Sequence, residues 1–195
     1  NWNSLLEKVN TPFFILNHHD EFPSNLYFLD KLNESNLGLL VLPCTIIDGK
    51  GKIQKRFSWQ QFLFSKICLK YPNVSFNILL SPTASLVVNK NFKDILFDKN
   101  LKWFVDSEWY FRLLNKAIDK NLQIRFFNAS RIISKQDKKS ITNSIKSNLK
   151  SFVQSEKAYL LKKHLIPNKF ISFLQYLLLI FILSYSKFKQ FLKLI

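Results

Sequence analysis

Two acids in the stretch Phe97 to Leu114 (FDKNLKWFVDSEWYFRLL), Asp106 and Glu108, stand behind an aromatic approach, where an enzyme would keep a general base. From Asp106 onward the apolar residues Trp109, Tyr110, Leu113, Leu114 and Ala117 recur at spacings of three and four, which makes one buried face of a helix beginning near Asp106. A carboxylate at such a start accepts hydrogen bonds from unpaired backbone N–H groups and feels the positive end of the helix dipole, which keeps it ionised near neutral pH. The same pattern suits an acid that only caps the helix, so the local residues leave base and N-cap both open.

A second polar cluster, Asn17-His18-His19-Asp20-Glu21, follows the apolar run Thr11 to Leu16 (TPFFIL), which reads as a buried strand. Open α/β sheets bind ligands outside the carboxyl ends of their strands, so this loop is mechanically well placed. Asp20 with a neighbouring oxygen or imidazole could hold Mg²⁺ or Mn²⁺, since carboxylate and phosphate oxygens are hard ligands. Adjacent side chains such as His18 and His19 point to opposite sides, which argues against a two-histidine zinc site. An ordinary solvated loop also fits the spacing.

The elements that must position these clusters alternate along the chain. Leu5 to Val9 reads as a short helix, Leu26 to Leu32 as a helix, and Leu39 to Leu42 as a second buried strand. Ile46 to Ile53 reads as a hairpin with Asp48-Gly49 supplying the positive φ angles. Ser58 and Gln61 form a capping box before a helix that buries Trp59, Phe62, Leu63 and Ile67. Ser75 to Val88 is extended with a break at Ser81-Pro82, and Leu122 to Phe127 is a further strand. Strands alternating with helices predict an α/β layered domain.

With 195 residues and 47% hydrophobic content the chain can bury one sizeable core, and its low glycine and proline counts exclude a fibrous or disordered class. The net charge of +16 is uneven: residues 1–130 carry 16 basic against 11 acidic side chains, and residues 131–195 carry 13 against 2. Cys44 and Cys68 are too few for a disulfide framework and lack metal-site spacing, which points to buried thiols in a reducing, cytoplasmic compartment. No signal peptide opens the chain, and the absence of any methionine suggests a piece missing its true N-terminus.

Taken together, the order strand, acidic loop, helix, strand, hairpin, SPTASLVV, then FDKNLKWFVDSEW and FRLL resembles the family-two glycosyltransferases of GT-A fold. Those enzymes carry an Asp-x-Asp type motif after a strand and, later, an acidic pair of the form ED-x-(D/E) opening a helix. Leu16 to Pro23 (LNHHDEFP) sits where the first belongs and Val105 to Leu114 (VDSEWYFRLL) where the second belongs, and the resemblance spans residues 1–165. It implies a mixed sheet flanked by helices, a partial GT-A domain over residues 1–130 whose nucleotide-gripping first strands would precede Asn1, and a C-terminal helical extension over residues 131–195. It implies Asp106 as catalytic base, Asp20 with His19 as metal ligands, and Asn17 as a donor-binding residue. Glu108, Ser81, Thr83, Trp103 and Trp109 fall on the acceptor side. Asn17 or His19 stands in the place of a metal-binding partner acid, and Val105 where the family has an acid. The implied reaction is inverting transfer from a nucleotide sugar to a hydroxyl of a saccharide or lipid-linked acceptor, with Mn²⁺ or Mg²⁺, in cell-surface polysaccharide or glycolipid synthesis.

Phe170 to Tyr185 (FISFLQYLLLIFILSY) is a nearly unbroken apolar run of 16 residues, flanked by lysines at both ends. As a helix it is about 24 Å long, short of the roughly 20 residues that span a bilayer. An interfacial anchor on the inner face of the plasma membrane and a helix packed on protein are both open, and the basic stretch Lys135 to Lys169 would suit anionic headgroups. Two other function classes bear on such a chain. A basic nucleic-acid-binding module is disfavoured, because few aromatics interleave with the basic residues and lysine far outnumbers arginine. A transferase-like protein that has lost catalysis and serves a structural or interaction role remains a serious alternative.

Overall fold

The computed structural model describes residues 2–56, 83–135 and 149–163. The capping-box helix after Ser58, Ser81, Cys68 and the apolar stretch 170–185 lie outside the described residues. The elements are α1 (Trp2–Glu7), β1 (Phe13–Phe14), β2 (Glu21–Pro23), β3 (Leu37–Val41), β4 (Cys44–Ile47), β5 (Ile53–Arg56), β6 (Leu86–Asn89), α2 (Val105–Asp119), β7 (Gln123–Phe126), β8 (Ile132–Lys135) and α3 (Leu149–Lys163). Single 3₁₀ turns occupy Tyr27–Lys31, where the sequence suggests a full helix, and Thr83–Ser85 and Lys90–Phe92.

The strands form two mixed sheets, with orders β1-β6-β3-β7 and β2-β8-β4-β5. In the first, β3 pairs parallel with β7 and antiparallel with β6; in the second, β4 pairs parallel with β8 and antiparallel with β5. Because β3 runs into β4 through Leu42-Pro43, and β7 into β8 through residues 127–131, one parallel pair of segments continues across both sheets. At the seam, Phe127 N–H donates to Val41 O at 2.9 Å and Ile132 N–H to Pro43 O at 2.8 Å. The mixed α/β class expected from the alternation is therefore present.

Every residue of β3 is buried, as a near-continuous apolar run covered on both faces should be. One face, with Leu39 and Val41, joins Leu86, Val88, Ile124, Trp109, Leu113 and Leu160 in the larger core. The other, with Leu37, Leu40 and Leu42, packs on Phe28, Ala84, Val87 and Ile132. Strict alternation would put Leu37 with Leu39, but the register with β7 shifts between these two residues. Gly38 makes the shift possible, since a Cβ there would stand 2.8 Å from Leu122 Cβ.

Helix α2 buries the expected face and ends in a Schellman motif: Asn121 takes φ 52°, Leu122 N–H donates to Ala117 O at 2.8 Å, and Asn121 N–H to Ile118 O at 2.9 Å. The β4–β5 hairpin forms as expected, but its positive φ falls on Gly51 (77°) and not on Asp48-Gly49. Asp48 instead accepts from Lys50 and Lys52 N–H through its side chain, an Asx-type turn that moves the glycine requirement along the loop.

The division expected at residue 130 does not hold, because β8 pairs with β2 and β4 inside the second sheet. Helix α3 also belongs to the core, through Leu160 and through Glu156, which is only 5% exposed. The Glu156 carboxylate accepts backbone N–H bonds from Lys102 (2.6 Å), Trp103 (3.0 Å) and Phe104 (2.9 Å), the residues that lead into α2. Removing it strands three buried or half-buried donors, so Glu156→Ala should cost about 3 kcal/mol. In a chain of this size that corresponds to a melting temperature lower by roughly 6–12 °C, with Glu156→Gln losing less, as thermal unfolding would measure.

Candidate active site

The start of α2 is not capped by an acid. Phe104 is the N-cap residue and makes no side-chain cap, and Asp106 lies one residue inside the helix. Its carboxyl Oδ1 accepts a hydrogen bond from Thr83 Oγ1 at 2.9 Å. Of the two roles left open by the sequence pattern, the cap is the one the structure excludes: Asp106 faces the 83–85 turn.

The acidic loop reaches the same place with a different residue from the one the spacing suggests. Glu21, at the first position of β2, is buried, while Asp20 is half-buried and His18, His19 and Asn17 are exposed. Glu21 turns inward, its Oε2 accepting from His18 N–H at 3.1 Å and its carboxyl also accepting from Ala84 N–H. It stands close enough to Asp106 for the two charges to repel. Consecutive residues of one 3₁₀ turn, Thr83 and Ala84, thus give one donor to each of two acids that are far apart in sequence.

Burial dominates the electrostatics. It pushes the Asp106 carboxyl up to about 6, against the Thr83 hydrogen bond and the nearby His18, with Glu21 adding to the rise. The helix dipole was expected to hold this carboxyl down, and desolvation outweighs it. Burial likewise raises Glu21 to about 7, against its backbone hydrogen bonds. Tyr110, one turn along α2, is pushed well above its usual value by burial and by the negative Asp106 and Glu21. The arrangement is a carboxyl pair in which burial raises both proton affinities, that of Glu21 to the higher value.

Other residues singled out from the sequence fall elsewhere. Glu108 is fully buried and held by Arg112 Nε (2.8 Å), Arg112 Nη2 (2.7 Å) and Lys163 Nζ (2.8 Å), a framework ion cluster that does not open to an acceptor. Trp109 is fully buried, stacked on Phe97 at 4.4 Å with its indole N–H on Ile95 O, so it has no face left for a sugar ring. Trp103 is half-buried against the core. Thr83 is fully buried on Asp106. Glu21 is the participant the sequence reading passed over, although its place one residue beyond Asp20, at a strand start, marks it as the acid pointing to the other side.

For a cation, the loop carries Asp20, His19 and Asn17 close together in sequence, and among the described residues no three His, Cys, Asp or Glu side chains converge as a cage. Such a donor set fits Mg²⁺ or Mn²⁺ only where substrate phosphates and water complete the coordination, which is a common way for Mg²⁺ to be held. No helix among the described residues is long and apolar enough to cross a membrane. Comparison with protein-family models, with curated proteins and with solved structures gives no match.

Because both carboxyls hold their protons more tightly folded than unfolded, the neutral pair is the more stable form. Stability is lost as the pH rises through about 6 for Asp106 and about 7 for Glu21. The loss should be on the order of 3 kcal/mol for each carboxyl, beginning above the ordinary carboxylate range and complete once the pH passes these values. Glu21→Gln should flatten it, gaining on the wild type at pH 8 relative to pH 5 in denaturant unfolding. Parallel pH profiles of the two proteins would refute the pairing.

Proposed function

We propose that the chain is the acceptor-side part of an inverting glycosyltransferase and that Asp106 is its catalytic base. The reading is supported by the resemblance to family-two enzymes and by one observation above all: the acid that the resemblance points to is raised to about 6 and oriented by Thr83 at the meeting point of the acidic loop and α2. A base with a value near the working pH combines an ionised form with a useful affinity for the proton.

In this mechanism Asp106 takes the proton of the acceptor hydroxyl as that oxygen attacks the anomeric carbon. The new C–O bond forms on the face opposite the nucleotide diphosphate, which leaves with the electron pair of the bond it breaks, so configuration inverts. Asp20, with His19 or Asn17, would hold the divalent cation, whose contribution is to offset charge on the diphosphate. Tyr110 stays neutral throughout this range and cannot compete for the proton. A transferase-like protein without catalysis is the second reading, favoured by Asn17 and Val105 standing where the resembled family has acids.

The test is transfer or hydrolysis from a panel of nucleotide sugars by the full-length protein. Asp106→Asn should lower kcat about 10²–10⁴-fold. The wild-type rate should rise with pH as Asp106 loses its proton near pH 6, then level off. Asp20→Asn should weaken the metal dependence. Equal rates in all three proteins would remove the catalytic assignment in favour of the second reading.

A further inference from the structure

We propose that Thr83 is a positioning residue for Asp106, its hydroxyl committing Oδ1 so that the acceptor's proton is received on Oδ2. The inference rests on the reading of Asp106 as base and replaces the acceptor-contact role that the resemblance gives Thr83. The side chain is fully buried, so it touches no acceptor, and its one O–H proton is spent on Oδ1 at 2.9 Å. Among the described residues this is the hydrogen bond the Asp106 side chain makes, which leaves Oδ2 available. The donor itself is fixed by the sheets: Ser85 O accepts Leu42 N–H at 2.8 Å at the seam, and β6 follows at once, paired with β3. Thr83 is thus carried on a buried turn tied to the sheets, and a hydroxyl so anchored sets the carboxyl plane.

The consequence is a specific pH signature. A hydrogen bond to the ionised form favours that form. Around Asp106, His18 from the acidic loop acts in the same direction, Glu21 from β2 and burial act against it, and Tyr110 on α2 stays neutral beyond this range. Without the Thr83 hydroxyl the opposing influences prevail, and the base is protonated where it should be working.

The experiment follows the Asp106 carboxyl directly, by ¹³Cγ-aspartate NMR titration of the full chain, the resonance being assigned by its loss in Asp106→Asn. Thr83→Val should move the midpoint upward by about one pH unit, and Thr83→Ser should restore it. Thr83→Ala carries the same expectation in case valine disturbs the packing. In transfer assays the acid limb of the Thr83→Val profile should move upward with it, with kcat recovering at higher pH and KM little changed. A folded Thr83→Val or Thr83→Ala with an unshifted midpoint overturns the inference, as does a rate loss that is uniform at every pH. An Asp106→Asn protein with wild-type transfer would instead overturn the base assignment, a result the titration does not mimic.

Discussion

Two carboxyls far apart in sequence, Glu21 and Asp106, share a poorly hydrated space, and the short turn Thr83–Ser85 supplies the donors that make this tolerable. Like charges so placed cannot both ionise cheaply: Glu21 raises the proton affinity of Asp106 beyond what burial alone would do, and Asp20 adds to the rise at Glu21. The turn can serve both acids because its own position is settled elsewhere. Ser85 is tied to Leu42 at the seam between the sheets, where the paired segments β3–β4 and β7–β8 pass from one sheet to the other. Glu21 comes from the second sheet and Asp106 from a helix packed over the first, so the seam is the place where the two can meet.

Helix α3 secures the second half of that meeting. Its Glu156 gathers the three N–H groups that lead into α2, and Lys163, at its far end, bridges Asp98 and the buried Glu108. Against the effect of burial, hydrogen bonds from Lys163, Asn100 N–H and Tyr159 hold Asp98 down to about 2. A buried carboxylate left unpaired would be strongly destabilising, and the Arg112 fork and Lys163 both pair with Glu108. On the opposite side Asn3 exchanges hydrogen bonds with the backbone of Phe97, 2.7 Å to its oxygen and 3.1 Å from its amide, fastening α1 to the same approach segment. The direction of α2, and so of Asp106, is set from both flanks.

Periodicity made α2, β3, β7 and the β4–β5 hairpin legible, because each buries a face whose spacing is written in the apolar residues. β8 was not legible. Its four residues, Ile132 to Lys135, stand in the strongly basic part of the chain, and its hydrogen bonds go to β2 and β4, more than 80 residues away. Glu156 and Lys163 read as ordinary members of a lysine-rich helix for the same reason: their partners are backbone and side chains some fifty residues upstream, which no local pattern encodes. Spacing already puts Trp109 on the buried face of α2, and the Phe97 stack agrees; its acceptor-side place came from the resemblance alone.

The exchange of Glu21 for Asp20 follows from strand geometry. Successive residues entering a strand send their side chains to opposite faces, so adjacent acids at the start of β2 cannot both turn inward. Pairing fixes which one does: Asp20 O accepts Lys135 N–H at 2.9 Å, and Glu21 opposite Ser134 begins the β2–β8 register with its side chain toward the core. Asp20 is left nearer solvent, while the Glu21 charge acts on the acid of α2. Adjacent acids of one loop thereby take opposite sides of the strand, and a sequence motif that names only the acidic cluster cannot say which of them turns inward.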